Sequence, residues 1–328
     1  MDFKETSKLM EVVSEILLKS DKKQNYVVSL AVGYSFYKEW KKYILPNWFE
    51  YCKKNNIGII IIKSELISKK NNFYKKSNWQ KNLIPDFISK KYNFVKNICY
   101  LDTDILINGL SPNIFSLSNL KKINVVSLRK NLPFDYDKTI AKIVLFRKNY
   151  LNKKYPLNSA INLNLNKLYK YHNLKPQKDE FCSGVMVYNV KKFKNIFTNI
   201  FYKYPKDITS ITNDGEQTHL NYELQSRKIV HFIDYKFQAI WAFEIVNHYP
   251  FLYGEKNFFN KLSAMCIDTS LMNNYFLHFP GSWIEGKMWK NIHINSFLRK
   301  KKINEKIEKY LKKKYSGLNL GMIKMKKK

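Results

Sequence analysis

Arginine is the scarce cation of this chain. Of its 58 basic residues, four are arginine (Arg129, Arg147, Arg227 and Arg299) and the rest are lysine. Planar, bidentate recognition of phosphates and base edges favours the guanidinium. The formal net charge of +32 therefore does not mark a nucleic-acid binder, although clustered cations do release counterions from a phosphate backbone. Lys, Asn, Ile, Tyr and Phe are abundant together, which suits AT-rich coding and accounts for much of the charge; no nucleic-acid partner is expected. Cysteine is sparse too. Cys52, Cys99, Cys182 and Cys266 form no Cys-x-x-Cys pair, which excludes a zinc ribbon or a disulfide framework and fits a reducing compartment. Long apolar runs are missing: the longest aliphatic stretch, Ile59 to Ile62, falls far short of the ~20 residues that cross a bilayer. Met1 to Ser20 reads as an amphipathic helix rather than a signal peptide. No internal repeat and no Gly/Ser-rich linker divides the chain. The expectation is a soluble cytoplasmic protein, or one held peripherally on the inner face of a membrane.

What is present is enough for a large core. The 328 residues are 45% hydrophobic and 16% aromatic, which suits one α/β domain over residues 1–298. Asn25 to Val32 alternates as a strand, Phe36 to Asn55 reads as an aromatic-rich helix, and Ile57 to Lys63 as the next strand. Such a βα unit belongs to a parallel sheet, whose ligands lie beyond the carboxyl ends of its strands. Gly33 and Tyr34 fall at such an end. Pro85 to Tyr92 predicts a helix, and Val125 to Leu128 and Phe181 to Tyr188 predict strands. Residues 130–180 show no clear period and read as an insertion or acceptor loop.

The most informative stretch is Asn97 to Asn108, NICYLDTDILIN. Its apolar run suits a buried strand, and a strand ending in Asp102-Thr103-Asp104 delivers two hard oxygen ligands to a sheet edge. Mn²⁺ or Mg²⁺ takes such ligands and bridges to a diphosphate.

This segment resembles the metal-binding motif of GT-A glycosyltransferases of family eight, the group of glycogenin and the bacterial lipopolysaccharide galactosyltransferases. Further matches follow in the family's order. Trp79-Gln-Lys-Asn-Leu-Ile-Pro85 resembles its Tyr-Arg-Leu-Leu-Leu-Pro block, and Phe181-Cys-Ser-Gly-Val-Met-Val-Tyr-Asn189 its Phe-Asn-Ala-Gly-Val-Met-Leu-Ile-Asn block. Glu216-Gln-Thr-His-Leu-Asn221 resembles Asp-Gln-Asp-x-Leu-Asn, and His278-Phe-Pro-Gly281 resembles His-x-x-Gly. The resemblance covers roughly residues 25 to 290.

It implies a Rossmann-like nucleotide-diphospho-sugar transferase fold, with a mixed, mainly parallel central sheet flanked by helices. It also implies transfer of a hexose from a nucleotide-sugar donor, most simply a UDP-sugar, to a glycan or lipid-linked acceptor. Asp102, Asp104 and His278 would be the metal ligands, and Tyr34 would stack on the base. Lys81 stands where the family has a donor-contacting Arg. Gly184 and Gly281 would let backbone approach the donor, and Lys287 would bind its diphosphate, although five residues separate Gly281 from Lys287 where the family has two. Cys182 replaces the family's Asn. Glu216 and Gln217 fall on the Asp-Gln pair at the reacting face. Asp214 adds a carboxylate two residues earlier, which either caps the next helix or serves as a base. Family precedent favours retention of configuration; inversion with Asp214 or Glu216 as base is the alternative, and a sugar nucleotidyltransferase a more distant one. The latter needs a glycine-rich phosphate loop after its first strand, where this chain has only Gly33.

The tail, residues 299–328, carries 13 basic and two acidic residues. Ile303, Ile307, Tyr310 and Leu311 fall on one stripe, so this segment reads either as a basic amphipathic helix on anionic lipid or as a solvated helix packed on the domain.

Overall fold

The computed structural model describes residues 12–21, 24–151, 163–209, 215–255, 258, 260–281 and 283–291. Contacts divide the chain into two units, 1–291 and 292–328, and every described residue lies in the first. The basic tail and Asp214 lie outside the described residues.

Seven strands form the main sheet: β1 (Ser14–Leu18), β2 (Asn25–Leu30), β3 (Gly58–Ile62), β4 (Asn97–Leu101), β6 (Ile123–Ser127), β7 (Phe181–Asn189) and β8 (Val230–Ile233). Their order is β1-β3-β2-β4-β7-β6-β8. β2 runs parallel to β3 and β4, and β6 parallel to β8, while β1–β3, β4–β7 and β6–β7 are antiparallel. The sheet is thus mixed, with helices against it. A second sheet is small: β5 (Ile105–Ile107), β10 (Phe276–His278) and β9 (Ala239–Ile240), in that order.

Continuous burial of β3 and β4 is what a sheet covered on both faces requires. One cover is built from α4 (Ile84–Lys91), α7 (Val190–Lys203) and α8 (Gln217–Ser226). Ile84, Ile88, Phe193, Phe197, Leu220 and Leu224 pack there against Tyr100, Met186 and Tyr188. Each such side chain contributes about 1.5–3 kcal/mol of apolar burial.

Three expectations are corrected. Residues 14–18 form an edge strand, with Ser14 opposite Ile62, where an amphipathic helix was expected; a ready-made strand partner overrides a short helical pattern. The single helix expected over 36–55 is two, α1 (Tyr34–Tyr43) and α2 (Leu45–Lys54). Pro46 sits in the first turn of α2, where its missing N–H costs nothing. Residues 130–180 are not irregular throughout: they hold α5 (Tyr136–Phe146) and α6 (Leu165–Tyr171), capped by the side chains of Asp135 and Asn164.

Candidate active site

The motif strand is central. β4 lies between β2 and β7, so its carboxyl end opens at the middle of the sheet. The chain turns there through Asp102-Thr103-Asp104 and enters β5 of the small sheet. Backbone bonds pin that turn from both sides: the Asp102 N–H donates to the Gly184 carbonyl (2.9 Å), and the Phe279 N–H donates to the Asp104 carbonyl (3.1 Å). β10, paired antiparallel to β5 with His278 opposite Ile105, brings His278 to the same point.

One ligand atom from each of Asp102, Asp104 and His278 lies within 4.8 Å of the others. His278 Nε2 is 3.2 Å from Asp104 Oδ1 and 3.8 Å from Asp102 Oδ2. Apart from this approach to each other, neither Asp104 Oδ1 nor His278 Nε2 has a hydrogen-bond partner, and both atoms are buried. Buried polar atoms left without further partners are costly. Two hard carboxylates and one imidazole are the donor set that Mn²⁺ or Mg²⁺ accepts, so these residues fit a divalent cation. Burial alone would lower the His278 pKa, but the Asp104 carboxylate outweighs it and holds the imidazole well above its ordinary value.

Gly184 explains how the three groups come so close. A Cβ on Gly184 would lie 2.5 Å from His278 Cε1, 2.8 Å from the end of the Gln238 carboxamide and 2.9 Å from Asp102 Oδ2. Any side chain there would displace His278 and Asp102.

Beside the triad, Lys81 is almost fully buried in a 3₁₀ turn, residues 81–83. Its Nζ sits 3.0 Å from Glu216 Oε1, 3.3 Å from Asp102 Oδ1 and 3.2 Å from Ser183 Oγ. Burial disfavours its charge, but Asp102 and then Glu216 more than compensate and raise its pKa. Asp102 is held below the ordinary carboxylate range: burial opposes ionisation, and Lys81 and His278 overcome it. The Tyr100 hydroxyl donates to Asp102 Oδ1 at 2.5 Å, and the Ser183 hydroxyl donates to Glu216 Oε1 at 2.5 Å. Glu216 is itself the N-cap position of α8 and makes no side-chain cap bond; Asp214, expected as cap or base, lies outside the described residues. Gln217 donates from Nε2 to Glu180 Oε1 (2.9 Å), and Arg129 pairs with Glu180 Oε2 at 2.9 Å.

Apart from Glu180 and Arg129, these groups line one cavity of about 350 Å³, within the range of small-molecule sites. Of the sequence-derived candidates, Lys81, Asp102, Asp104, Glu216, Gln217, His278 and Gly281 all line it. Gly184 lies against the triad. Tyr34 is 79% exposed at the start of α1 and Lys287 is exposed in the turn 284–291; neither lines the cavity. Sequence reasoning overlooked Ser77, Asn78, Tyr100 and Ser183 as lining residues. Tyr100 and Ser183 sit inside motif blocks, whereas Ser77 and Asn78 carry no signal of their own.

No family model and no curated protein matches this chain. Among solved structures it is similar to a glycosyltransferase involved in glycosylation of the major capsid of PBCV-1, with 12% identity over 82% of this chain and 99% of that one (TM-score 0.44). It is also similar to the galactosyltransferase LgtC, solved with donor and acceptor sugar analogs: 12% identity over 81% of this chain and 94% of that one (TM-score 0.43). A third is the bifunctional glycosyltransferase WbbM, at 13% identity over 80% of this chain (TM-score 0.44); the match spans 46% of that protein. Each of these three is a glycosyltransferase.

Proposed function

We propose that this protein is a metal-dependent glycosyltransferase that moves a hexose from a nucleotide diphosphate sugar, a UDP-sugar in the first instance, to a glycan or lipid-linked acceptor. The observation that carries this reading is the convergence of Asp102, Asp104 and His278 on one point of a cavity, with Asp104 Oδ1 and His278 Nε2 buried and 3.2 Å apart but without any other polar partner. A divalent ion bound there supplies charge neutralisation for a departing diphosphate. Asp102, Asp104 and His278 would hold it.

The chain's own residues do the rest. Lys81 brings a fixed positive charge to the same end of the cavity, positioned by Glu216 and Ser183. Its compact ammonium replaces the fork of an arginine, so it contributes charge rather than bidentate geometry. Glu216 is occupied by Lys81 and Ser183. A carboxylate tied in this way is suited to holding groups in place rather than to taking a proton from an acceptor hydroxyl. This supports a retaining reaction, with Gln217, fixed by Glu180, presenting its amide beside the donor sugar. Among the described residues no helix is long and apolar enough to cross a membrane. The basic segment 299–328 would supply contact with anionic lipid when the acceptor is lipid-linked.

The test is Mn²⁺ binding and donor hydrolysis, with a panel of nucleotide sugars, by wild type and Asp104→Asn. Asp104→Asn is expected to lose both and keep its fold, because a neutral amide is a poor ligand for a hard dication. Undiminished hydrolysis in EDTA would refute the metal reading.

A further inference from the structure

We propose that Gln238 is the positioning residue that presents His278 to the metal through Nε2. The inference rests on the metal reading above and adds a residue that no sequence motif marks. Gln238 is 1% exposed and lies at the end of a 3₁₀ turn, residues 235–238. Its carboxamide is satisfied in one orientation. The amide nitrogen then donates to the Cys182 carbonyl (3.1 Å), while the amide oxygen accepts from His278 Nδ1 (3.1 Å) and from the Val185 N–H (3.2 Å). An oxygen that already accepts from a backbone N–H, on a carboxamide whose nitrogen is committed elsewhere, offers Nδ1 only an acceptor. Nδ1 must therefore carry its proton.

A proton on Nδ1 leaves the Nε2 lone pair for the cation, on the side where Asp102 and Asp104 stand. The other polar atom near Nδ1 is Cys182 Sγ at 3.6 Å, a weak acceptor that cannot set the tautomer as firmly as an amide oxygen. The scaffold under Gln238 is rigid. Tyr235, in the same turn, donates its hydroxyl to buried Glu244 and receives the Ile240 N–H, and Glu244 in turn accepts from Ser270. β9, which follows Gln238, runs parallel to β10 with Ile240 opposite His278. β9 thus ties the turn to the ligand strand.

The test is Mn²⁺ affinity of the full chain, read from the free-ion EPR signal, alongside thermal unfolding, for wild type, Gln238→Met and Gln238→Glu. Gln238→Met removes the acceptor and should weaken Mn²⁺ binding by about 10–100-fold. Gln238→Glu keeps an acceptor on Nδ1 but turns its second oxygen toward the Cys182 carbonyl, so it should unfold at a lower temperature than wild type yet bind Mn²⁺ at least as tightly. Affinity and stability thus move apart in Gln238→Glu, which a merely structural role would not produce. Wild-type affinity in Gln238→Met, or Gln238→Glu losing affinity in step with its stability, would overturn the assignment. A wild-type protein that takes up no Mn²⁺ would instead refute the metal reading, and the positioning role with it.

Discussion

Gly184→Ala asks the most of this site for the smallest change. In the middle of β7 an alanine is ordinarily favoured over glycine by about 0.5–1 kcal/mol, so backbone preference alone predicts stabilisation. The surroundings reverse the sign. The new methyl would lie 2.5 Å from His278 Cε1 and 2.9 Å from Asp102 Oδ2, whereas carbon atoms rest about 3.5–4.0 Å apart. The His278 ring must therefore retreat by roughly 1 Å, and the Gln238 carboxamide bonded to it, 2.8 Å from the same methyl, must shift with it. Overpacking of this kind costs about 1–3 kcal/mol, which against that gain leaves a net loss of about 0–2.5 kcal/mol, centred near 1. Metal sites hold their ligand distances to about 0.2 Å, so a displacement several times larger should cost far more in ion binding than in folding. The expected result is a melting temperature lowered by a few degrees and Mn²⁺ affinity lowered by at least tenfold, measured by differential scanning fluorimetry and by EPR titration. An alanine variant with raised stability and unchanged Mn²⁺ affinity would show that the triad has slack, and the close-packing argument would fail.

Lys81→Met should destabilise by about 3–5 kcal/mol because it strands Glu216 beside Asp102 without their shared cation; in urea unfolding the double variant Lys81→Met/Glu216→Gln should recover part of that loss, and strict additivity would count against the pairing. Burial, and then the neighbouring His172, lowers the His219 pKa to about 4. Its folded pKa is thus below the unfolded value of about 6.5, so the unfolded chain binds the extra proton first, and stability falls as pH drops from about 6.5 toward 4, by up to about 3 kcal/mol. His219→Phe should flatten that slope in denaturant melts taken across this pH range. An unchanged slope would mean that His219 protonates in place.

What the sequence revealed and what it concealed divide along one line. The Asp102-Thr103-Asp104 turn, the Gly184 strand and His278 were legible because each is short, local and chemically unusual, and such features survive without knowledge of their neighbours. The edge strand 14–18 was not legible, because its identity comes from pairing with Ile59 to Ile62 rather than from its own pattern. The helices within 130–180 were obscured by polar residues: on α5 the buried face is Thr139, Ile140 and Ile143, too narrow a stripe to stand out. Gln238 could not be found at all. Nothing around a glutamine in Tyr-Lys-Phe-Gln foretells that the chain will fold it against an imidazole forty residues later.

The small sheet gathers β5, β9 and β10 from residues 105–107, 239–240 and 276–278, so the three ligands become neighbours only when nearly the whole first unit has been threaded into place. Closing so long a chain segment carries an entropic cost that grows with its length, and contacts this distant in sequence form slowly. Under the metal reading proposed above, ion uptake would therefore be a readout of completed folding. A polypeptide that ends before Phe276 would carry both aspartates and bind nothing, and during refolding Mn²⁺ capture should lag behind the appearance of the main sheet.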